Sequence, residues 1–211
     1  MPVILDEIAA RASDAALITM SARQAATDAI TDTFACMIAG QNDGAVRAVR
    51  AGIARGGVDS GHCTLIGSGS ATAPAAAMIN GTAAHALDFD DNFSPALSHA
   101  SAVLVPALLA AGEIRASTGA ELVQAYLVGL EAQALIGLGM LRHHYTAGWH
   151  ATSTVGAIGT AAGVAWLLGL DRAGMVQAMS LGVSMAAGVK GQFGTPAKPF
   201  HAGMAARNAV D

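Results

Sequence analysis

Apolar residues recur at helical spacing along most of this chain. Ala25, Ile30, Phe34, Met37 and Ile38 mark one face of a helix. Ser21 with Gln24 three positions later reads as the capping box that opens it, and the run from Gly40 to Gly44 closes it. Asp43 is placed to cap a second helix through Arg55, stopped by Gly56 and Gly57. The stretch from Asp59 to Ser70 is turn-rich, with a short extended piece over Thr64, Leu65 and Ile66. The same pattern predicts helices over about 72–88, 100–115, 119–139, 151–169 and 171–187. Residues 117–119, 142–150 and 169–171 separate the last four, and Pro106 is expected to kink the 100–115 helix. Lys190 to Gly203 reads as a loop stiffened by Gly and Pro, and Met204 opens a last helix that is cut after two turns. No repeat or low-complexity linker interrupts this order. The expectation is one all-α domain over residues 1–211, a large Ala/Gly-rich bundle.

Composition says how such helices must pack. Hydrophobic residues make up 53% of the chain and charged residues only 12%, against roughly 25% charged in an ordinary soluble domain. Disorder is excluded, since it needs the opposite balance. A nucleic-acid partner is excluded too: 11 Lys+Arg against 15 Asp+Glu leave a net charge of −4 and no basic run. With so few charges, helices must be buried nearly all round or covered by another subunit or domain. The best membrane-span candidate, Val155 to Leu170, covers 16 residues with four glycines, short of the ~20 a bilayer requires. No basic segment precedes an apolar stretch at the N-terminus, so no signal peptide is expected and no membrane partner. Cys36 and Cys63 fit no disulfide or metal spacing, which suits a cytoplasmic protein.

In a chain this poor in charge, the places where polar side chains collect carry information. The first is His85-Ala-Leu-Asp88-Phe-Asp90-Asp91-Asn92, followed by Ser98 and His99. If the helix continued through it, His85, Asp88 and Asp91 would share one face and Asp90 would point elsewhere. That spacing fits a general acid/base group and, equally, solvated carboxylates at a helix end. A divalent cation is a weaker reading, because the calcium-loop spacing is absent. The second cluster is His143, His144, Tyr145 and Trp149-His150-Ala-Thr152. His150 stands where a helix begins, so free N–H groups and the helix dipole favour an anion there and lower the imidazole pKa. A hydroxyl N-cap with a bystander histidine is the other reading. His143 and His144 face opposite ways and read as loop residues, and His62 as structural or surface. The third cluster is the lysine loop. Pro196 and Pro199 flank Lys198 and could hold its ammonium for an anionic substrate, while Lys190 has no such constraint; His201 is a second contact or a packed loop residue.

These three segments, in this order, resemble the MmgE/PrpD family, which includes 2-methylcitrate dehydratase, cis-aconitate decarboxylase and iminodisuccinate epimerase. The matching stretches are NGTAAHALDFDD (80–91) with SHASAVLVPALLAAGE (98–113), GWHATSTVGAIGTAAGVAWLLGLD (148–171) and FGTPAKPFHAGMAARNAV (193–210). The resemblance implies a large helical domain joined to a smaller α+β lid domain that lies outside this chain, a homodimer, and no metal or organic cofactor. It places Asp88, His99, His150 and Lys198 at catalytic positions. Asn92 takes the place of a hydroxyl residue, and the stretch from Asn92 to His99 is one residue longer than in the decarboxylase branch. Asn92, Thr152 and His201 are the expected substrate contacts.

The activity so implied is that of a lyase of the 2-methylcitrate dehydratase type. It would remove a proton next to a carboxylate of a small di- or tricarboxylate. Lys198 and the N–H groups beginning the 151 helix would stabilise the developing negative charge. His150 and Asp88 are the candidate base and acid, with His99 orienting or relaying. An epimerase or decarboxylase on the same scaffold, and a truncated helical module without activity, are the alternatives.

Overall fold

A computed structural model describes residues 3–14, 18–56 and 60–211. Met1 and Pro2, and Gly57 to Asp59 at the edge of the predicted turn, lie outside them. Among the described residues the chain forms nine α-helices: α1 (Val3–Ala12), α2 (Met20–Gly40), α3 (Gly44–Arg55), α4 (Ala73–His85), α5 (Ser101–Arg115), α6 (Gly119–Thr146), α7 (Ala151–Leu167), α8 (Arg172–Met185) and α9 (Ala197–Asn208). Two short strands, β1 (Cys63–Thr64) and β2 (Ser70–Ala71), pair antiparallel where the extended piece was expected. The all-α expectation holds.

Local chemistry explains most helix ends. Asp43 caps α3 by accepting from Ala45 N, as its position predicts. The capping boxes differ from the prediction. Thr19, not Ser21, caps α2, accepting from Ala22 N, and Gln24 bonds Asp28 instead. A full box stands at Thr118 and Glu121, opening α6. After α7, Gly169 at φ 76° allows Leu170 N to reach Ala165 O and Gly169 N to reach Trp166 O, the two bonds of a Schellman ending.

Three boundaries fall elsewhere than the pattern placed them. α4 stops at His85 rather than 88, because the backbone turns there and puts Asp88 at φ 58°. α6 runs on to Thr146 through the expected loop, where Lys190 Nζ donates to the carbonyl of Tyr145 and His144 Nε2 meets Thr154 Oγ1 at 2.6 Å. α9 begins at Ala197, so Lys198 and Pro199 sit in its first turn, not in a loop. Prolines are tolerated there because first-turn N–H groups have no intrahelical acceptor. Pro106 lies within α5, which continues through it as one helix.

The centre of the bundle is formed by α4, α5, α7 and α9, with α2 and α3 against α4, α6 and α8 against α7, α1 against α6 and α8, and α2 and α6 in contact with each other. α4 and α7 are buried almost all round, which answers the shortage of charge in the sequence. The most extended apolar helix is α6, whose Gly119–Met140 stretch is long and apolar enough to cross a bilayer by length and composition; it packs here against α7, α1, α2 and α5. The expected candidate, Val155 to Leu170, falls mainly in the shorter, buried α7.

Small residues bring α4 and α9 into backbone contact. A methyl at Gly203 would lie 2.2 Å from Thr82 Oγ1 and 2.4 Å from Met78 O, and one at Gly81 would lie 3.1 Å from the Gly203 Cα. Overpacking of this kind costs about 1–3 kcal/mol. Gly203→Ala should therefore lower unfolding stability in a denaturant titration by about that amount. Gly139→Ala on α6, where a methyl meets nothing within 4 Å, should raise it by about 0.4–1 kcal/mol. Equal effects of the two substitutions would contradict this packing.

Candidate active site

The three carboxylates after α4 take three different partners. Asp88, exposed and in the left-handed conformation, pairs with the Lys198 ammonium at the start of α9 and lies 3.8 Å from His99 Nε2. Asp90 turns inward, its side chain wholly buried, and its Oδ2 lies 2.8 Å from His85 Nδ1 and 3.4 Å from His99 Nδ1. Asp91 accepts from Ser101 N at 3.1 Å and so satisfies a donor at the start of α5. The expected shared face of His85, Asp88 and Asp91 does not exist, because the helix ends first. The histidine's carboxylate is Asp90, the one assigned to the other side.

His99 follows a tight loop closed by a bridge between Phe93 and Ser98, and its N–H donates to Thr152 Oγ1 at 3.0 Å. That bond ties the loop to the first turn of α7. His150 is the N-cap residue of α7, where the helix start was predicted, and its N–H donates to Gly188 O. Gly188 has φ 120° and a methyl there would lie 2.2 Å from Ser153 Oγ. The glycine thus lets residues 186–190 lie across the start of α7.

Four imidazoles form a line. Ring centroids of His99 and His85 are 4.7 Å apart, those of His85 and His150 5.6 Å, and those of His150 and His201 5.5 Å. His150 Nδ1 and His201 Nδ1 lie 3.3 Å apart. Phe193 meets His150 edge-on at 4.9 Å, and the Lys198 Nζ lies 5.3 Å from the Phe193 ring centroid. Burial, then the neighbouring His85, His201, Lys198 and His99, lowers the His150 pKa to about 3. The imidazole is therefore neutral at physiological pH, and burial rather than the helix dipole is the main cause. His201 is lowered by burial and by His85. Burial pushes the Asp88 carboxyl up, but the Lys198 hydrogen bond and charge, with His85 and His99, outweigh it and hold the group below the usual carboxylate range.

Asn92, His99, Tyr145, His150, Thr152 and Lys198 line a cleft of about 280 Å³, with Phe93 and Phe193 among its apolar walls. Asp88 lines the adjoining depression with His85 and meets the cleft through Lys198. His201 lies outside the cleft lining and touches His150. His85, read from the sequence as an acid/base candidate beside Asp88 and Asp91, stands behind the cleft rather than in its lining, whereas Tyr145, named in the second polar cluster but given no role there, enters the lining from the last turn of the longer α6. His143 is exposed and His144 is held by Thr154, both in the last turns of α6 rather than in a loop. Lys190 is more constrained than predicted, with Nζ 3.5 Å from the Tyr145 ring centroid. A larger cavity of about 710 Å³ lies between α3, α4 and α9, lined by Val49, Ile53, Met78 and Phe200. Its walls are mostly apolar, and its charged pair, Arg207 with Asp211, is mutually neutralised and has no histidine beside it, so the cleft is the better place for acid–base chemistry on an anion.

His85, Asp88, Asp90 and His99 bring one potential ligand atom each within 4.8 Å of one another. The set fits a cation poorly. His85 Nδ1 and Asp90 already take each other up in a buried 2.8 Å hydrogen bond, and the ammonium of Lys198 occupies Asp88.

The MmgE/PrpD N-terminal domain pattern matches residues 6–211. Cis-aconitate decarboxylase of Homo sapiens is 33% identical over 141 residues, which is 64% of this chain and 29% of that protein. Cis-aconitate decarboxylase of Aspergillus terreus is 33% identical over 162 residues, 71% of this chain and 32% of that protein. The chain thus spans about a third of the length of these relatives.

The neutral, buried state of His150 has a consequence for stability. The unfolded chain binds its proton below about pH 6.5, whereas the folded site resists it until about pH 3. Stability should therefore fall as pH drops through that window, with His150 accounting for a few kcal/mol at its lower end. Asp88 acts only lower down: its contribution is lost as pH falls below the ordinary Asp value of 3.8. Melting of a His150→Asn variant should depend less steeply on pH between 6.5 and 4. A slope equal to that of the parent protein would contradict the burial of a neutral imidazole.

Proposed function

We propose a function that starts from kinship: the chain belongs to the MmgE/PrpD family. Its cleft would serve a cofactor-independent lyase acting on a small tricarboxylate of the cis-aconitate type. The observation that carries the reading is the convergence of Lys198, His99 and His150 on one cleft, with Asp88 paired to Lys198. The names of the relatives point to decarboxylation as the first choice.

In such a reaction the bond to the departing CO₂ breaks and its electron pair moves into the neighbouring π-system. The carbon that gains electron density then takes a proton. Negative charge develops beside the remaining carboxylates, so the site needs a fixed cation, N–H donors and a group that delivers a proton. Lys198 supplies the cation, and Ala151 and Thr152 carry the N–H groups that α7 leaves without intrahelical acceptors. His150, neutral and buried, and Asp88 are the acid–base pair, with His99 oriented between Asp88 and Asp90. Asn92 and Thr152 lie in the cleft lining to meet substrate oxygens, and His201 acts from its contact with His150.

A second reading, dehydration of a 2-methylcitrate-like substrate, uses the same groups to remove a proton next to a carboxylate and expel water. The longer stretch between Asn92 and His99 favours it. Residues 1–211 would constitute the helical domain of the enzyme, and a homodimer is part of the reading, supported by the exposed apolar side chains of Leu181, Val183 and Met185 on α8. A monomer in light scattering would remove the dimer. A cytoplasmic location is in keeping with two free, buried cysteines, Cys36 and Cys63.

The test is NMR of the full-length gene product with cis-aconitate and with 2-methylcitrate in D₂O. Loss of CO₂ with deuterium entering the product is expected, and loss of water instead would establish the second reading. His150→Ala and Lys198→Ala should each lower kcat by roughly 10²–10³-fold. Turnover of neither substrate, or unchanged rates in both variants, would overturn the proposal.

A further inference from the structure

We propose that Asp90 is a positioning residue, whose buried carboxylate holds a proton on Nδ1 of both His85 and His99 and leaves the two Nε2 atoms as acceptors. The role in turnover rests on the lyase reading above; the assignment of tautomers does not. A carboxylate can only accept, so the 2.8 Å contact with His85 Nδ1 requires a proton on that nitrogen. His99 Nδ1 lies 3.4 Å from the same oxygen, without hydrogen-bond geometry, and has no hydrogen-bond partner elsewhere. Among the described residues these two rings are the ion-pair partners of Asp90, and both side chains of the His85–Asp90 pair are fully buried. An unpaired carboxylate there would be costly; the His85 N–H compensates Oδ2, while Asp90 Oδ1 and His99 Nδ1 are both buried without a hydrogen-bond partner.

The geometry carries this effect to the cleft. His85 is not itself part of the cleft lining, yet its ring lies between those of the lining residues His99 and His150, stacked on the latter at an interplanar angle of 22°. Fixing the His85 ring therefore fixes the back wall of both. His99 Nε2 lies 3.8 Å from Asp88 Oδ1, beyond hydrogen-bond distance, so no carboxylate contact demands a proton on that nitrogen. His85 Nε2 and His150 Nε2 are both buried without a partner, so a flipped His85 ring would change which groups face His150. This is the arrangement in which a carboxylate sets the tautomer of an imidazole that does the proton transfer.

The experiment is two-bond ¹H–¹⁵N spectroscopy of the full-length protein labelled with ¹⁵N-histidine, assigned with His85→Gln and His99→Gln. In the parent protein both rings should show the Nδ1–H pattern. An Nε2–H form at either ring would overturn the proposal, and that result needs no variant of Asp90 to fold. In Asp90→Asn, whose amide can donate as well as accept, at least one ring should switch pattern. In the same variant kcat should fall at least about tenfold with KM within about twofold, and Asp90→Glu should recover part of both. Unchanged tautomers and unchanged kcat in Asp90→Asn would overturn it. A parent protein that turns over neither substrate but shows the Nδ1–H pattern would refute the lyase reading and uphold the positioning of the rings.

Discussion

The contact between α4 and α9 is the constraint on which the site depends. Gly203 lets the two backbones approach to a distance that a side chain there would block, and Gly81 faces it with little room for a methyl. At one end of that contact α4 stops and α9 starts, so Asp88 and Lys198 meet although 110 residues separate them. The ion pair would contribute little on an exposed surface. Here it closes a junction that apolar packing has already formed, and it leaves one cation beside a cluster of histidines.

A protein with 12% charged residues cannot place ionisable groups in its interior at random. Each one near the site has a compensating partner. Asp88 has Lys198, Asp90 has two imidazoles, and Asp91 has the N–H of Ser101. His150 escapes the cost of burial by remaining neutral. The apolar surroundings that make burial expensive would also strengthen the field of Lys198 on a carboxylate in the cleft. The same low polarity would then serve both the fold and the proposed chemistry.

Much of this was legible in the sequence, for reasons that differ by element. Helical periodicity located α2 to α8, because an amphipathic or fully apolar stripe survives any detail of packing. The clusters around 85–99, 143–154 and 190–201 pointed to the site, since polar residues are conspicuous in so apolar a chain. Helix ends were less legible. Pro196 at the N-cap of α9 and Pro199 in its first turn look like loop signals, and α6 outlasts its pattern because Lys190 and Thr154 hold its last turn. The role of Asp90 was hidden for the same reason: a face assigned by helical spacing holds only while the helix continues, and α4 ends at His85. The match over residues 6–211 agrees with the family resemblance carried by the polar clusters.

The central claim is that Lys198, His99 and His150 form one receptor for a small polycarboxylate. A crystal structure of the full-length protein with a bound tricarboxylate tests it most directly. A carboxylate within hydrogen-bond distance of Lys198 Nζ, with a second contact to His150 or to the first turn of α7, is the result this account predicts. A ligand seated elsewhere, with Lys198 still held by Asp88 and the cleft empty, would contradict it.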